Sequence, residues 1–271
     1  MNICVAGKYS IAINAIKYLI DTIKISKDSL FICINRDDKG EDKWQPSLLK
    51  YANNNGLNNI NISSLQDIEN LIFISLEYDR IINTNHFRSD QLFNIHFSLL
   101  PNYKGMYTST HPILNGENTT GVTLHLIDNG IDTGPIINQL EFDIGINYSA
   151  KDLYKKYLEY GLRLFKESIL SLIDKSYKHK GQTNIGSYYY SKYSIDFNNI
   201  KIDYNNTSFS IHNQIRAYIF EDYQLPTING SKIIKSILTD RLTKNCSINE
   251  EREKFIISGI DGFIIEAYKK K

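Results

Sequence analysis

NICVAGKYSIAINAIKYLIDTIK, residues 2–24, decides how the chain opens. Asn2 to Ala6 is a short apolar run, Gly7 to Ser10 a turn, and from Ile11 to Lys24 the apolar residues Ile11, Ala15, Ile16, Leu19, Ile20 and Ile23 recur at helical spacing. A strand, a turn and a helix are predicted. The alternation continues with a strand at Ser29 to Ile34, the charged loop NRDDKGEDK, and a short helix starting near Pro46 and ending around Asn54. A strand at Asn59 to Ile62, a helix after Ser64, and strands at Leu71 to Leu76 and Phe93 to His96 follow. Right-handed crossovers between such elements imply an α/β, Rossmann-like fold: a mainly parallel sheet with helices on both faces. Ligands of these sheets bind beyond the carboxyl ends of the strands.

Past Pro101 the character changes. A Gly- and Thr-rich loop leads to a strand at Gly121 to Ile127, the turn DNGIDTG at 128–134, and a strand at Pro135 to Phe142. Ser149 with Asp152 three residues on forms a capping-box pattern, opening a long helix with Leu153, Tyr157, Leu164, Phe165, Ile169 and Leu172 on one face and an end near Ser176. HKGQTN, residues 179–184, is the most polar break in the second half. It sets the expected boundary between a domain at 1–182 and a small C-terminal α+β module at 183–271. That module carries a Tyr-rich segment at 188–193, a helix from Ser208 to Tyr218, and several strands, the last two turning at Asp261-Gly262.

Composition excludes several function classes. With 31 Lys+Arg against 30 Asp+Glu, the formal charge of +1 gives no global field toward nucleic acid or anionic lipid. The three cysteines, Cys4, Cys33 and Cys246, are far apart and make neither a disulfide framework nor a zinc pattern. The apolar runs fall short of the roughly twenty residues a membrane helix needs. MNICVAGKYS lacks a basic leader, so a cytoplasmic protein without a membrane role is expected. Gly7-Lys8 with Ser10 invites a phosphate-loop reading, but the glycine required five residues earlier is missing, since position 2 is Asn. GxGxxG and HExxH are absent, and the six histidines show no zinc spacing, so no metal is expected.

The chemistry concentrates in FNIHFSLLPNYKG, residues 93–105, where a strand gives way to a loop. Asn94 and His96 are two apart, which on a strand aims both side chains at one face. Asp132 adds a carboxylate on a tight turn. An amide, an imidazole and a carboxylate around one small volume suit acyl transfer: one stabilises an oxyanion, one moves a proton, one orients the base. Taken singly, each residue equally suits a structural role: Asn94 a strand-end partner, His96 a hydrogen-bonded core histidine, Asp132 ordinary turn chemistry.

NIHFSLLP, then YKG, then HPILNGENTTGVTLHLIDNGIDTGPII closely resemble the formyltransferase family that uses 10-formyltetrahydrofolate, which carries an Asn, a His and an Asp in this order and spacing. The resemblance covers residues 1 to about 150 well and continues more weakly through GSYYY and NQIRAYIFEDYQLP. Within the family the sugar N-formyltransferases look most similar. Chemistry and resemblance together imply Asn94 as donor to the carbonyl oxygen, His96 as a hydrogen-bond donor to the oxyanion or, as the favoured role, base for the amine proton, and Asp132 as the group holding the imidazole or an intervening water. The resemblance also implies 10-formyltetrahydrofolate as co-substrate, with Leu76, Tyr78, Ile127 and Asp128 as folate contacts. A nucleotide-linked amino-dideoxy sugar is the implied acceptor, with dTDP-4-amino-4,6-dideoxyglucose for a bacterial surface polysaccharide as the expected case.

Candidates for gripping that acceptor are Lys8, Tyr9, Lys104, Arg216, Tyr223 and Gln224: cations for the pyrophosphate, an aromatic for stacking, an amide for base edges. Each also suits a plain role, Lys8 and Lys104 as solvated turn residues, Arg216 and Tyr223 as packing in the second module. Trp44-Gln45 beside the charged loop is a further candidate. Two alternatives stand beside the sugar reading. One is a methionyl-tRNA formyltransferase, opposed by Phe97 and Tyr103-Lys104-Gly105 where many tRNA-directed relatives carry Pro and Trp-Arg-Gly, and by a second module with no basic loop for phosphates. The other is a folate- or nucleotide-sugar-binding module without turnover, for which the trio is not needed. Exposed apolar residues in the final strands fit a homodimer through the second module and fit a monomer equally well.

Overall fold

The protein is described by a computed structural model covering residues 1–183, 185–244 and 246–271. The opening segment forms β1 (Asn2–Gly7) and α1 (Tyr9–Asp21), so the helix begins two residues before the apolar periodicity does. Ile11, Ala12, Ile13, Ala15, Ile16 and Leu19 are buried on it, and fully burying each larger side chain is worth roughly 1.5–3 kcal/mol. Next come β2 (Leu30–Ile34), α2 (Leu48–Asn54, capped by the Ser47 hydroxyl), β3 (Asn58–Asn59), β4 (Leu71–Leu76) and β5 (Leu92–His96). The segment after Ser64 makes only a 3-10 turn, Ile62–Leu65, in place of the predicted helix. Then follow β6 (Lys104–Gly105), α3 (His111–Leu114), β7 (Thr119–Leu126), β8 (Ile136–Asp143) and α4 (Ala150–Ile173). The chain closes with β9 (Tyr189–Tyr190), α5 (Ser208–Ala217), β10 (Thr227–Ile228), β11 (Ser231–Leu242), β12 (Ser247–Glu250), β13 (Lys254–Ser258) and β14 (Phe263–Lys269).

The main sheet runs β3-β2-β1-β4-β5-β7-β8. Its first five strands are parallel, and β7 joins β5 antiparallel. The α/β, mainly parallel reading holds. Helix α4 lies close to this sheet through Gly161, where an added Cβ would meet Ile11 Cδ1 at 2.9 Å and Phe97 at 3.2 Å. Phe97 and Tyr157 stack there at 5.3 Å, nearly parallel. Cys4 and Cys33 are buried in the core with Phe73 and Leu92, as small hydrophobes, and Cys246 is exposed.

The chain forms two compact units interleaved along the sequence: Met1–Lys104, Gly121–Glu141 and Tyr157–Tyr189 in one, Gly105–Thr120, Phe142–Lys156 and Tyr190–Lys271 in the other. The single cut after Gln182 expected from composition differs from this division. Polarity in the run HKGQTN goes with the exposure of His179, Lys180, Gly181 and Thr183, whereas the units are set by which apolar segments share a core, and α4 and the β7–β8 pair contribute to both. The second unit packs Ile211, Ile215 and Ile219 against Phe255, Ile257 and Ile265 of the antiparallel sheet β10-β11-β14-β13-β12. Its last two strands turn at Asp261-Gly262, with Gly262 at φ +78°. The Ser149–Asp152 capping box is reciprocal: Ser149 N–H donates to Asp152 Oδ2 at 3.0 Å and Asp152 N–H to Ser149 Oγ at 3.2 Å.

Candidate active site

Strand β5 carries Asn94 and His96 on one face, as their spacing dictates. Its antiparallel neighbour β7 sets Asn94 opposite His125 and His96 opposite Thr123, and residues directly opposed share a face. His125 therefore joins the pair. Asp132 arrives from the β7–β8 turn. That turn closes with Leu126 N–H on the Pro135 carbonyl at 2.9 Å and needs glycine at 134, where a Cβ would lie 1.8 Å from the Leu126 oxygen. Asp132 itself takes a left-handed backbone, φ 54°. Glu77 and Tyr103, in the loops that follow β4 and β5, and Tyr9, at the start of α1, do the same, and such strain clusters where geometry is functional.

The distances assign the protons. Asn94 Nδ2 lies 3.1 Å from His125 Nε2 and 3.3 Å from Asp132 Oδ1. A carbonyl only accepts, so His125 Nδ1, 2.7 Å from the Leu126 oxygen, carries hydrogen there, and Nε2 of the neutral ring is the acceptor for Asn94. The amide is thus oriented by two acceptors on its nitrogen side. His96 Nε2 lies 2.8 Å from the Tyr103 carbonyl and carries hydrogen by the same rule. The ring's remaining nitrogen, Nδ1, faces Asp132 Oδ2 at 3.4 Å. With Nε2 engaged as a donor, Nδ1 is the ring atom able to take a further proton, and the carboxylate lies beside it. Asn94, His96 and Asp132 therefore converge on one volume, with side-chain exposures of 9% for His96 and 13% for Asp132.

The remaining sequence-derived candidates scatter. Lys8 and Tyr9 lie together, the ammonium 4.7 Å above the Tyr9 ring, and Trp44 sits 5.7 Å from that ring, with Gln45 Oε1 taking the Ser10 N–H at 3.4 Å. Lys104 is no solvated turn residue: it is 6% exposed, one position after the carbonyl that holds His96. Arg216 is held by the protein itself. It is 2% exposed in the second unit and donates to Asn213 Oδ1, to the Gly145 carbonyl at 3.2 Å and to the Tyr148 carbonyl at 2.8 Å, and burial depresses its pKa to about 10. Its Nε and Nη1 strut a turn. Tyr223 is 58% exposed beside Phe220, and Gln224 pairs by its backbone with the same Phe220.

Of the folate candidates, Leu76 is fully buried and its carbonyl takes the Lys8 N–H at 3.3 Å. Tyr78 packs edge-on against Phe73, its phenol pushed to about 12 by burial, and lines a concavity with Asn35 and Arg80. Ile127 lines a separate one with Phe87, Ser89 and Leu92. Asp128 spends Oδ1 on Gly130 N–H at 3.0 Å and the Thr133 hydroxyl at 2.6 Å, which folds the turn that carries Asp132. Sequence reasoning passed over His125, whose signal was a lone imidazole within the apolar strand GVTLHL. Among the described residues, no group of three or more His, Cys, Asp and Glu is placed to hold a metal, and no helix is long and apolar enough to cross a membrane.

The Formyl transferase family model matches residues 34–169. The bifunctional polymyxin resistance protein ArnA of Wigglesworthia glossinidia brevipalpis is 32% identical over 166 residues, 58% of this chain and 25% of that protein. The chain spans about half the length of the methionyl-tRNA formyltransferases it also matches. Two solved structures superpose over the whole length. WlaRD, a sugar 3N-formyl transferase in the presence of dTDP and 5-N-formyl-THF, has a TM-score of 0.97 and 51% identity, covering 99% of this chain and 97% of that one. The N-formyltransferase from Helicobacter canadensis, in complex with folinic acid and dTDP-3-aminofucose, has a TM-score of 0.97 and 50% identity, covering 100% of both chains.

Proposed function

Because the chain belongs to the formyl transferase family, we propose that it moves a formyl group from 10-formyltetrahydrofolate to the amine of a dTDP-linked amino-dideoxy sugar. The observation that carries this reading is the convergence of Asn94, His96 and Asp132 in a chain half-identical to sugar N-formyltransferases over its full length. Both of those relatives are described with a 3-amino chemistry, so the acceptor nitrogen we assign is on C3, in place of the C4 expected from the sequence.

The donor set fits a folate formyl donor, which supplies an electrophilic carbon and departs as tetrahydrofolate. The sugar amine attacks that carbon, the amine gives up a proton, and the bond to the folate nitrogen breaks as that nitrogen takes a proton up. Asn94 spends one Nδ2 hydrogen on His125 at 3.1 Å and the other, more loosely, on Asp132 at 3.3 Å. The looser one turns to the oxygen where charge develops. The amine proton goes to the His96–Asp132 pair at Nδ1 or Oδ2, since Nε2 is held as a donor by the Tyr103 carbonyl. This sharpens the role of His96 as base: its accepting atom is Nδ1, shared with the carboxylate. Lys8, Tyr9 and Trp44 form the cation and aromatic pair suited to a pyrophosphate and a base.

Incubation with 10-formyltetrahydrofolate and a panel of dTDP-3-amino sugars, dTDP-4-amino sugars and charged initiator tRNA, followed by mass spectrometry, tests this. One formyl added to the 3-amino sugar is the expected result. Formyl on tRNA alone, or on nothing, overturns it.

A further inference from the structure

The segment that composition marks as a polar break reaches into the site. Lys180 and Ile136 exchange backbone hydrogen bonds in both directions, at 2.8 and 2.9 Å, laying the chain along the start of β8. Two residues on, the Gln182 amide nitrogen donates one hydrogen to the Asp132 carbonyl at 2.9 Å and the other to the Gly134 carbonyl at 2.7 Å. Both hydrogens are committed, so the amide has one orientation: turned over, its oxygen would face two carbonyl oxygens. That oxygen, Oε1, is buried and accepts no hydrogen bond among the described residues. Leaving a buried acceptor unmet costs about 1–3 kcal/mol, and a left-handed non-glycine residue about 1–2 kcal/mol more. The structure carries both at one turn, and the two hydrogen bonds from the Gln182 amide nitrogen work against them.

We infer that Gln182 is a positioning residue for the proposed reaction, acting through Asp132. By clamping the carbonyls on either side of Thr133 it fixes the left-handed Asp132 so that Oδ2 stays 3.4 Å from His96 Nδ1 and Oδ1 stays 3.3 Å from Asn94 Nδ2. Both distances are already long. A shift of about 1 Å at the carboxylate removes both contacts, and misplacement of that size costs on the order of a hundredfold in rate. The inference rests on the formyl-transfer reading.

Gln182→Met keeps the length and loses the donors, and Gln182→Glu sets a carboxylate against the same two carbonyls. For Gln182→Met, kcat is expected to fall about tenfold to a hundredfold with both KM values within about threefold. In an Asp132→Asn background the same change should cost less than about twofold, because its effect runs through the carboxylate. Gln182→Glu should lose more than Gln182→Met. Equal losses in both backgrounds, or reduced stability with unchanged kcat per folded molecule, overturn the inference. Ring 1H–15N correlations of His96 give a readout that needs no turnover. They should change in Gln182→Met as they do in Asp132→Asn, and an unchanged His96 spectrum also overturns the inference. A wild-type protein that formylates no amino sugar removes the formyl-transfer reading, while the His96 spectra still decide whether Gln182 places Asp132.

Discussion

In the second unit His212, Asn213 and Arg216 stand together on α5, and four of their nitrogens meet protein oxygens at ordinary length: His212 on Ser236 and on the Ile146 carbonyl, both at 2.8 Å, Arg216 on Asn213 and two turn carbonyls at 2.8–3.2 Å. In the first unit Asn94, His96, His125 and Asp132 assemble the same kinds of group, yet their mutual contacts run from 3.1 to 3.7 Å and the carboxylate rests on a left-handed residue. Residue types do not separate the two clusters. Tightness does: short contacts to turn carbonyls and a hydroxyl hold the fold, whereas a looser set leaves room for a proton to be given up or taken. The sequence reading put Arg216 beside the substrate because a lone guanidinium resembles a phosphate ligand until its acceptors are seen.

The sharpest break in that comparison is kinetic. Asn94→Ala and Asp132→Asn are each expected to lower kcat by about a hundredfold to a thousandfold, near 3–4 kcal/mol of transition-state stabilisation, with thermal midpoints close to wild type. Steady-state rates with a purified dTDP-amino sugar, beside melting curves, check this. Comparable turnover in both variants would erase the distinction between the clusters.

Acid should act on the closed cluster instead. Burial holds the pKa of His212 at about 4 against an ordinary 6.5, so the unfolded chain binds a proton there that the folded one refuses. The sign follows: this contribution to stability is complete above pH 6.5 and is lost as pH falls from 6.5 toward 4, amounting to roughly 3 kcal/mol. His111, also held at about 4 by burial, adds to the same window. Urea denaturation across pH 7 to 4 should show a steeper decline for wild type than for His212→Phe. Parallel curves would mean that His212 is protonated in the fold.

Arg216→Met should cost about 2–3 kcal/mol of stability, since it strands the Gly145 and Tyr148 carbonyls and the Asn213 oxygen in a buried place. The rate per folded molecule should stay unchanged. A raised KM for the nucleotide sugar at wild-type stability would restore Arg216 as a ligand.

How far the sequence reaches follows from what each feature depends on. The β1–α1 opening was legible because a period-3.6 pattern and a turn are local, and Asn94 with His96 because two residues on one strand need no partner to share a face. Asp132 was legible only as a carboxylate on a tight turn, and its place beside the pair needed the resemblance, since nothing local says where a turn folds back. Gln182 was hidden by its setting: a polar, glycine-bearing run is indistinguishable from a linker until the Ile136–Lys180 pairing lays it on β8. His125 was hidden by register. Its neighbour Asn94 lies 31 positions away, and a one-residue slip between β5 and β7 would turn the imidazole to the opposite face.

That register makes His125 the finest test of the loose cluster. Its ring is fixed by the Leu126 carbonyl at one nitrogen, and the other presents a lone pair to Asn94. Replacing it with Leu removes one acceptor from the amide, leaving Asp132 to orient Asn94 alone at 3.3 Å. One net hydrogen bond is worth about 1 kcal/mol, so kcat should drop about threefold to tenfold while KM for folate and sugar holds. His125→Gln, whose carbonyl oxygen is an acceptor on a chain of similar reach, should recover part of the loss. If His125→Leu costs as much as Asn94→Ala, the imidazole takes part in the proton transfer itself. A loss confined to stability would class it with His212, as a group whose hydrogen bonds serve only the fold.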